Sequence, residues 1–189
     1  MESLYVLWGR RNPRWQEKYQ DSVIKVFADY GKGMNKYNEI KGKTFGAGYE
    51  VFILAFFIGL YFDQKKALPD DASKSKTFGY AISNWGAQES RLGRTQYPRL
   101  IEYIFAALVA KTDIDLIALD KGEIKSTKVV DQLIDTMEQY ANFGFDFIKE
   151  KLEENPNYFF KETAFLRVFL SFLPNTFQED ADDDELEEL

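Results

Sequence analysis

The chain has 189 residues, with no cysteine, no histidine and a net charge of −7. Disulfides, zinc–thiolate sites, thiol nucleophiles and every imidazole-based triad are therefore excluded, so any catalysis would fall to Asp, Glu, Lys, Tyr or backbone groups. The charge is concentrated: residues 179–188, EDADDDELEE, hold eight acids and no base, which leaves 24 bases against 23 acids over residues 1–178, a body at +1.

The first residues, MESLYVLWGRRN, carry an early acid and no sustained apolar region, unlike a signal peptide. Within them SLYVLWG is the one fair strand candidate. Next, NPRWQEKYQDSVIKVFADYG predicts a helix, with Asn12 as N-cap, Pro13 at the first helical position and Gly31 as its stop. Trp15, Tyr19, Val23, Val26, Phe27 and Tyr30 fall on one face of it. Residues 31–48 read as a connection rich in glycine and lysine. From about Ala47 to Asp63 the chain is apolar nearly all round, as in a helix surrounded by others. Its uninterrupted apolar stretch of twelve residues, Val51 to Phe62, rises only about 18 Å as a helix and falls short of a bilayer. The expectation is a soluble, cytoplasmic protein.

Residues 64–96 form a long polar interruption, of the kind usually functional or mobile. YPRLIEYIFAALVAK then predicts a helix with Ile101, Ile104, Phe105 and Leu108 inward, and TDIDLIALDKG a short helical turn. Ser126 opens a long helix with Val130, Leu133, Met137, Ala141, Gly144, Ile148 and Leu152 on one stripe, stopped by Asn155-Pro156. A last helix spans about 159–173, with Phe165, Leu166, Phe169 and Phe172 inward. The expected architecture is mostly α: a single-domain helical bundle over residues 1–178 with a buried central apolar helix. A disordered acidic tail over 179–189 would follow.

KGKTFGAGYE, residues 41–50, invites comparison with a phosphate-binding loop, since Gly42, Lys43 and Thr44 match its second half. The first glycine would stand at Tyr37, and the preceding MNKYNEI is not an apolar strand, so the context that loop needs is missing. A turn feeding a buried helix fits better.

The best candidate working surface is SNWGAQESRLGRTQYPR, residues 83–99. Arg91, Arg94 and Arg99 would neutralise phosphates, and Trp85 would offer a stacking face to unpaired bases. The competing reading is a polar loop with its tryptophan buried and its arginines solvated or paired, which the mild basicity of the region favours. Arg10, Arg11 and Arg14, beside Trp8 and Trp15, form a second patch of the same chemistry, its tryptophans better suited to the core. Asp131, Asp135 and Glu138 follow helical spacing on what reads as the exposed side of the long helix. They suit a solvated acidic face better than a cation site, and neither a metal nor a cofactor is expected. The acidic tail either competes with phosphate on the basic patches, or binds a basic partner through Leu186 and Leu189, or simply confers solubility.

The segment TFGAGYEVFILAFFIGLYFDQKKAL resembles a helix of the small accessory proteins encoded beside DNA phosphorothioation (Dnd) systems. IDLIALDKGE followed by EQYANFGFDFIKEKL is similar to a segment of the same family, with Tyr140, Ala141, Asn142, Phe143 and Gly144 carrying the likeness. It covers about residues 44–152 and leaves the N-terminal fifth, the loop 64–96 and the tail unmatched. The resemblance implies a helper in bacterial DNA modification or phage defence, and no known reaction. Apart from it, Gly144 in mid-helix suggests close approach of another backbone, and Asn142 a bond to a neighbouring main chain. Three functions are thereby expected in order: a non-enzymatic accessory protein binding DNA weakly, a protein–protein adaptor docking on a larger enzyme without DNA contact, and a carboxylate-based metal-assisted hydrolase.

Overall fold

The computed structural model describes residues 2–28, 44–86, 97–161 and 163–171. The described chain is mostly α-helical. Its helices are α1 (Leu4–Gly9), α2 (Lys25–Phe27), α3 (Gly48–Phe62), α4 (Pro98–Lys111), α5 (Leu116–Asp120), α6 (Ser126–Glu154) and α7 (Ala164–Leu170). A π-helical turn, Gln20–Ile24, precedes α2, and two short strands, β1 (Arg14–Gln16) and β2 (Ser75–Thr77), pair antiparallel with Trp15 opposite Lys76. The chain divides into two compact units, residues 1–149 and 150–189. None of the helices among the described residues is long and apolar enough to cross a membrane.

Two N-terminal expectations are corrected. SLYVLWG is helical, not extended: the Ser3 hydroxyl accepts the Val6 N–H at 3.3 Å and caps α1. The helix expected from Pro13 begins later, because tertiary partners take the backbone of residues 14–16 first. Arg14 N–H donates to Glu138 at 2.7 Å, and β2 takes the strand's other edge. Asn12 is no cap; its amide donates to the Phe78 carbonyl at 3.2 Å. The expected inward face nevertheless survives in part, since Trp15, Tyr19, Val23 and Phe27 are buried while Val26 is only half-buried. The polar interruption is partly structured, containing β2 and the turns at 72–74 and 82–84.

α3 spans nearly the expected residues, and Val51, Phe52, Ala55, Phe56 and Ile58 are completely buried. It crosses α6 at backbone contact. A Cβ on Gly144 would lie 1.9 Å from the Ala55 carbonyl oxygen, and one on Gly59 would lie 2.1 Å from that of Tyr140. Ala55 faces Gly144 while Gly59 faces Tyr140, so the two helices run antiparallel. The left-handed Asp63 (φ 50°) ends α3, and its carboxylate accepts from Lys111 at 2.8 Å and Tyr140 at 2.9 Å, tying α3, α4 and α6 together. The Lys111 bond, then that of Tyr140, holds the Asp63 carboxyl below the usual range.

Beyond Asp63 the chain runs against α6. Lys66 N–H donates to the Gln139 carbonyl at 3.0 Å. The buried Asn142 amide donates to the carbonyls of Lys66 at 3.0 Å and Ala67 at 2.9 Å, and its oxygen accepts from Gln16 at 2.6 Å. The expected roles of Gly144 and Asn142 as backbone neighbours are thus met within the core. In the second unit Phe159 stacks on Phe165 at 5.0 Å, and α7 buries Ala164 and Val168. Leu166, expected inward, is exposed, because the i, i+4 pair 164/168 sets the buried face.

Candidate nucleic-acid interface

The strongest electrostatic feature of the described chain is a strap. Residues 11–16, extended over β1, run along α6, and the pairs ascend together on both elements. Arg11 meets Asp131 at 2.6 Å, Arg14 meets Glu138 at 3.0 Å and Asp135 at 4.0 Å, and Gln16 meets Asn142. At the next step Lys18 at 3.2 Å and the Tyr19 hydroxyl at 2.6 Å both donate to Asp146, which also accepts from Lys66. The spacing is commensurate. From Arg11 to Gln16 an extended chain covers about 16 Å, and from Asp131 to Asn142 a helix rises about 16 Å.

This places the second basic patch differently from the expectation. Arg14 is held by backbone and side-chain bonds to Glu138, whose side chain is 2 % exposed, and the pairing raises the pKa of the guanidinium. Glu138 is therefore no part of a solvated face. Burial pushes its carboxyl up, and the three kinds of contact from Arg14 only partly offset that. Arg10 pairs with Glu2 at 2.6 Å, and Trp8 and Trp15 lie in the core as expected. At Asp146, burial acts to raise the carboxyl, but the bonds from Lys66, Tyr19 and Lys18 outweigh it and hold it below its ordinary value.

Trp85 is corrected as a stacking platform, because it is fully buried. Its ring stacks on Tyr49 at 5.4 Å and meets Phe52 and Phe78 edge-on, while its indole N–H donates to the Tyr80 carbonyl at 3.1 Å. It has no free face for a base. Arg99 is exposed on the first turn of α4. Arg91, Arg94, Leu186 and Leu189 lie outside the described residues.

What the structure does supply is a neck that sequence reasoning missed. Gly86 and Tyr97 close the segment between them, with Tyr97 N–H donating to the Gly86 carbonyl at 3.1 Å. Gly86 has a left-handed φ of 69°, and a Cβ there would lie 2.5 Å from the Tyr97 ring, so two separate constraints demand glycine. Phe45 N–H donates to the Phe27 carbonyl at 2.9 Å and closes the segment 29–43 in the same way. One carboxylate, Glu50, joins the two necks. Its Oε2 accepts from Gly46 at 2.7 Å and Ala47 at 3.2 Å at the start of α3, and its Oε1 accepts from the Tyr97 hydroxyl at 2.8 Å. Burial, then the charge of Glu50 and the neighbouring Tyr49, pushes the Tyr97 hydroxyl far up, so it stays a donor. The signal for Glu50 was present in the sequence, as an acid three residues after the helix start at Ala47. Gly86 and Tyr97 carry no such local signal.

No group of three or more Asp or Glu positioned to hold a metal ion occurs among the described residues. Compared with protein-family models, with curated proteins and with solved structures, the chain finds no significant match to any of them.

Proposed function

We propose that the chain is a non-enzymatic nucleic-acid-binding accessory protein that engages phosphates through Arg91, Arg94 and Arg99. The observation that supports this reading is the pair of necks joined at Glu50. The segments they close are both cation-rich: residues 29–43 hold four lysines against two acids, and residues 87–96 two arginines against one. Their ends start from one place on the scaffold, beside the exposed Arg99. Among the described residues the buried carboxylate, Glu138, is committed to Arg14, which favours binding over carboxylate catalysis. The bacterial DNA-modification or phage-defence setting and a cytoplasmic location rest on the resemblance and the sequence alone, and the acidic tail would regulate the binding.

The test is fluorescence anisotropy with short single- and double-stranded DNA. Two or three phosphate contacts give roughly a 10–40-fold loss of affinity between 50 and 200 mM salt. Arg91→Ala with Arg94→Ala should flatten the slope of log K against log salt by about 2. A chain ending at Gln178 should bind more tightly if the tail competes. Absence of binding by every version at the lowest salt would defeat the reading. The adaptor reading has its own support in the exposed Leu116 and Ile117 at 52 % and 69 %, neighbours on α5, and would then be pursued by co-purification.

A further inference from the structure

The N-terminal arginines have the chemistry of a phosphate-binding surface, yet as folded they face carboxylates. Arg10, Arg11 and Arg14 confront Glu2, Asp131, Asp135 and Glu138, so three cations meet four acids and the patch is net −1. The four pairings are not equal. Glu138 is buried, and separating it from Arg14 would strand a charge out of water, so Arg14 is fixed. Glu2, Asp131 and Asp135 are 43 %, 59 % and 66 % exposed, and the arginines facing them are also well exposed. Exposed pairs of this kind are worth little and exchange readily for another anion. Arg10 and Arg11 close α1 and begin the strap, so Arg14 acts as the pivot that keeps both at the surface beside α6.

We propose that Glu2 and Asp131 form an intramolecular mask in which side-chain carboxylates occupy Arg10 and Arg11 in place of nucleic-acid phosphates, with Asp135, 4.0 Å from Arg14, adding a third negative charge to the patch. Neutralising the three acids turns the patch from −1 to +2 and frees Arg10 and Arg11 for a polyanion. The inference rests on the nucleic-acid reading given above for its ligand class, and on the ion pairs of the strap for its device.

The experiment uses the full chain and a 20-nucleotide fluorescent DNA, single-stranded and duplex, at 50 mM salt and above. Glu2→Gln, Asp131→Asn and Asp135→Asn combined should bind roughly tenfold or more tightly than the unaltered chain, with a salt slope steeper by about 2. Adding Arg10→Ala and Arg11→Ala should remove the gain, whereas the same two changes in the unaltered chain should weaken binding far less. Circular dichroism confirms the fold, and Asp131→Asn alone serves as the mildest version, expected to give a smaller gain in the same direction. If the unaltered chain binds through Arg91 and Arg94 but the triple variant matches it in affinity and slope, the mask is refuted and the nucleic-acid reading stands. If the triple variant alone binds, the mask is supported and the loop arginines are refuted as the main contact. If neither binds, both are refuted.

Discussion

Substituting Gly144 by alanine puts the α3–α6 crossing under direct test. The added methyl carbon would sit 1.9 Å from the Ala55 carbonyl oxygen, 2.5 Å from its carbon and 2.8 Å from its Cα. Ordinary contact needs about 3.4 Å or more, so the two backbones must part by roughly 1.5 Å along a seam packed at both ends. Overpacking of a core costs about 1–3 kcal/mol, and backbone against backbone belongs at the upper limit because neither side has a rotamer to change. Alanine returns about 1 kcal/mol of helix propensity in mid-helix. The net expectation is a loss of about 2 kcal/mol, or about 4–8 °C in Tm for a chain of this size. Gly59→Ala should behave alike, since its Cβ would lie 2.1 Å from the Tyr140 carbonyl oxygen. Together the two changes should cost clearly less than the sum of their separate effects, because one separation of the helices relieves both clashes. Gly79→Ala is the control: nothing lies within 4 Å of a Cβ there, and Tm should stay within about 2 °C. Thermal and urea unfolding followed by circular dichroism measure all four. An unchanged or raised Tm for Gly144→Ala would refute the crossing geometry.

Further outcomes follow at three polar positions in the first unit. Asn142→Ala should cost about 3 kcal/mol in urea unfolding, since two main-chain carbonyls and the Gln16 amide lose their partner, and Asn142→Asp should be worse at pH 7 than at pH 4 because an ionised carboxylate would face those carbonyls. Arg14→Ala should cost about 3 kcal/mol at neutral pH by stranding Glu138; the raised carboxyl contributes its stability below its unfolded value and loses it as pH rises through the folded one, so the deficit should shrink toward pH 4. Asp146 has the opposite sign. Its lowered folded value means that its contribution is present above the ordinary Asp range and is lost as pH falls through that value, so Asp146→Asn should cost about 2 kcal/mol at pH 7 and flatten the acid limb of a Tm–pH profile.

The long helices were legible because their apolar spacing and stops are local properties: α3, α4 and α6 begin and end within a residue or two of where the pattern places them. Residues 14–16 were not. Their helical propensity loses to Glu138 and to β2, partners 124 and about 61 positions away, which no local pattern announces. The arginines and carboxylates were each visible as patches. Their pairing was not, because it depends on how an extended segment lies along a helix. Trp85 followed the plainer of its two readings, buried among Tyr49, Phe52 and Phe78. Tyr140, Asn142 and Gly144 prove to be occupied with α3 and the chain after it, in packing rather than on an exposed surface.

The strap behaves as a vernier. One step along it advances about 3.3 Å, which equals about 2.2 residues of α6 and therefore about 220° around that helix. Deleting a single residue between Arg11 and Gln16 would thus set every later strap residue against a helix position whose side chain points away from the strap, out of step with its present partner. Side-chain substitutions here are graded in their effect, but a change of length is all-or-none. Related chains that keep this architecture should therefore vary in the identity of these residues far sooner than in their number.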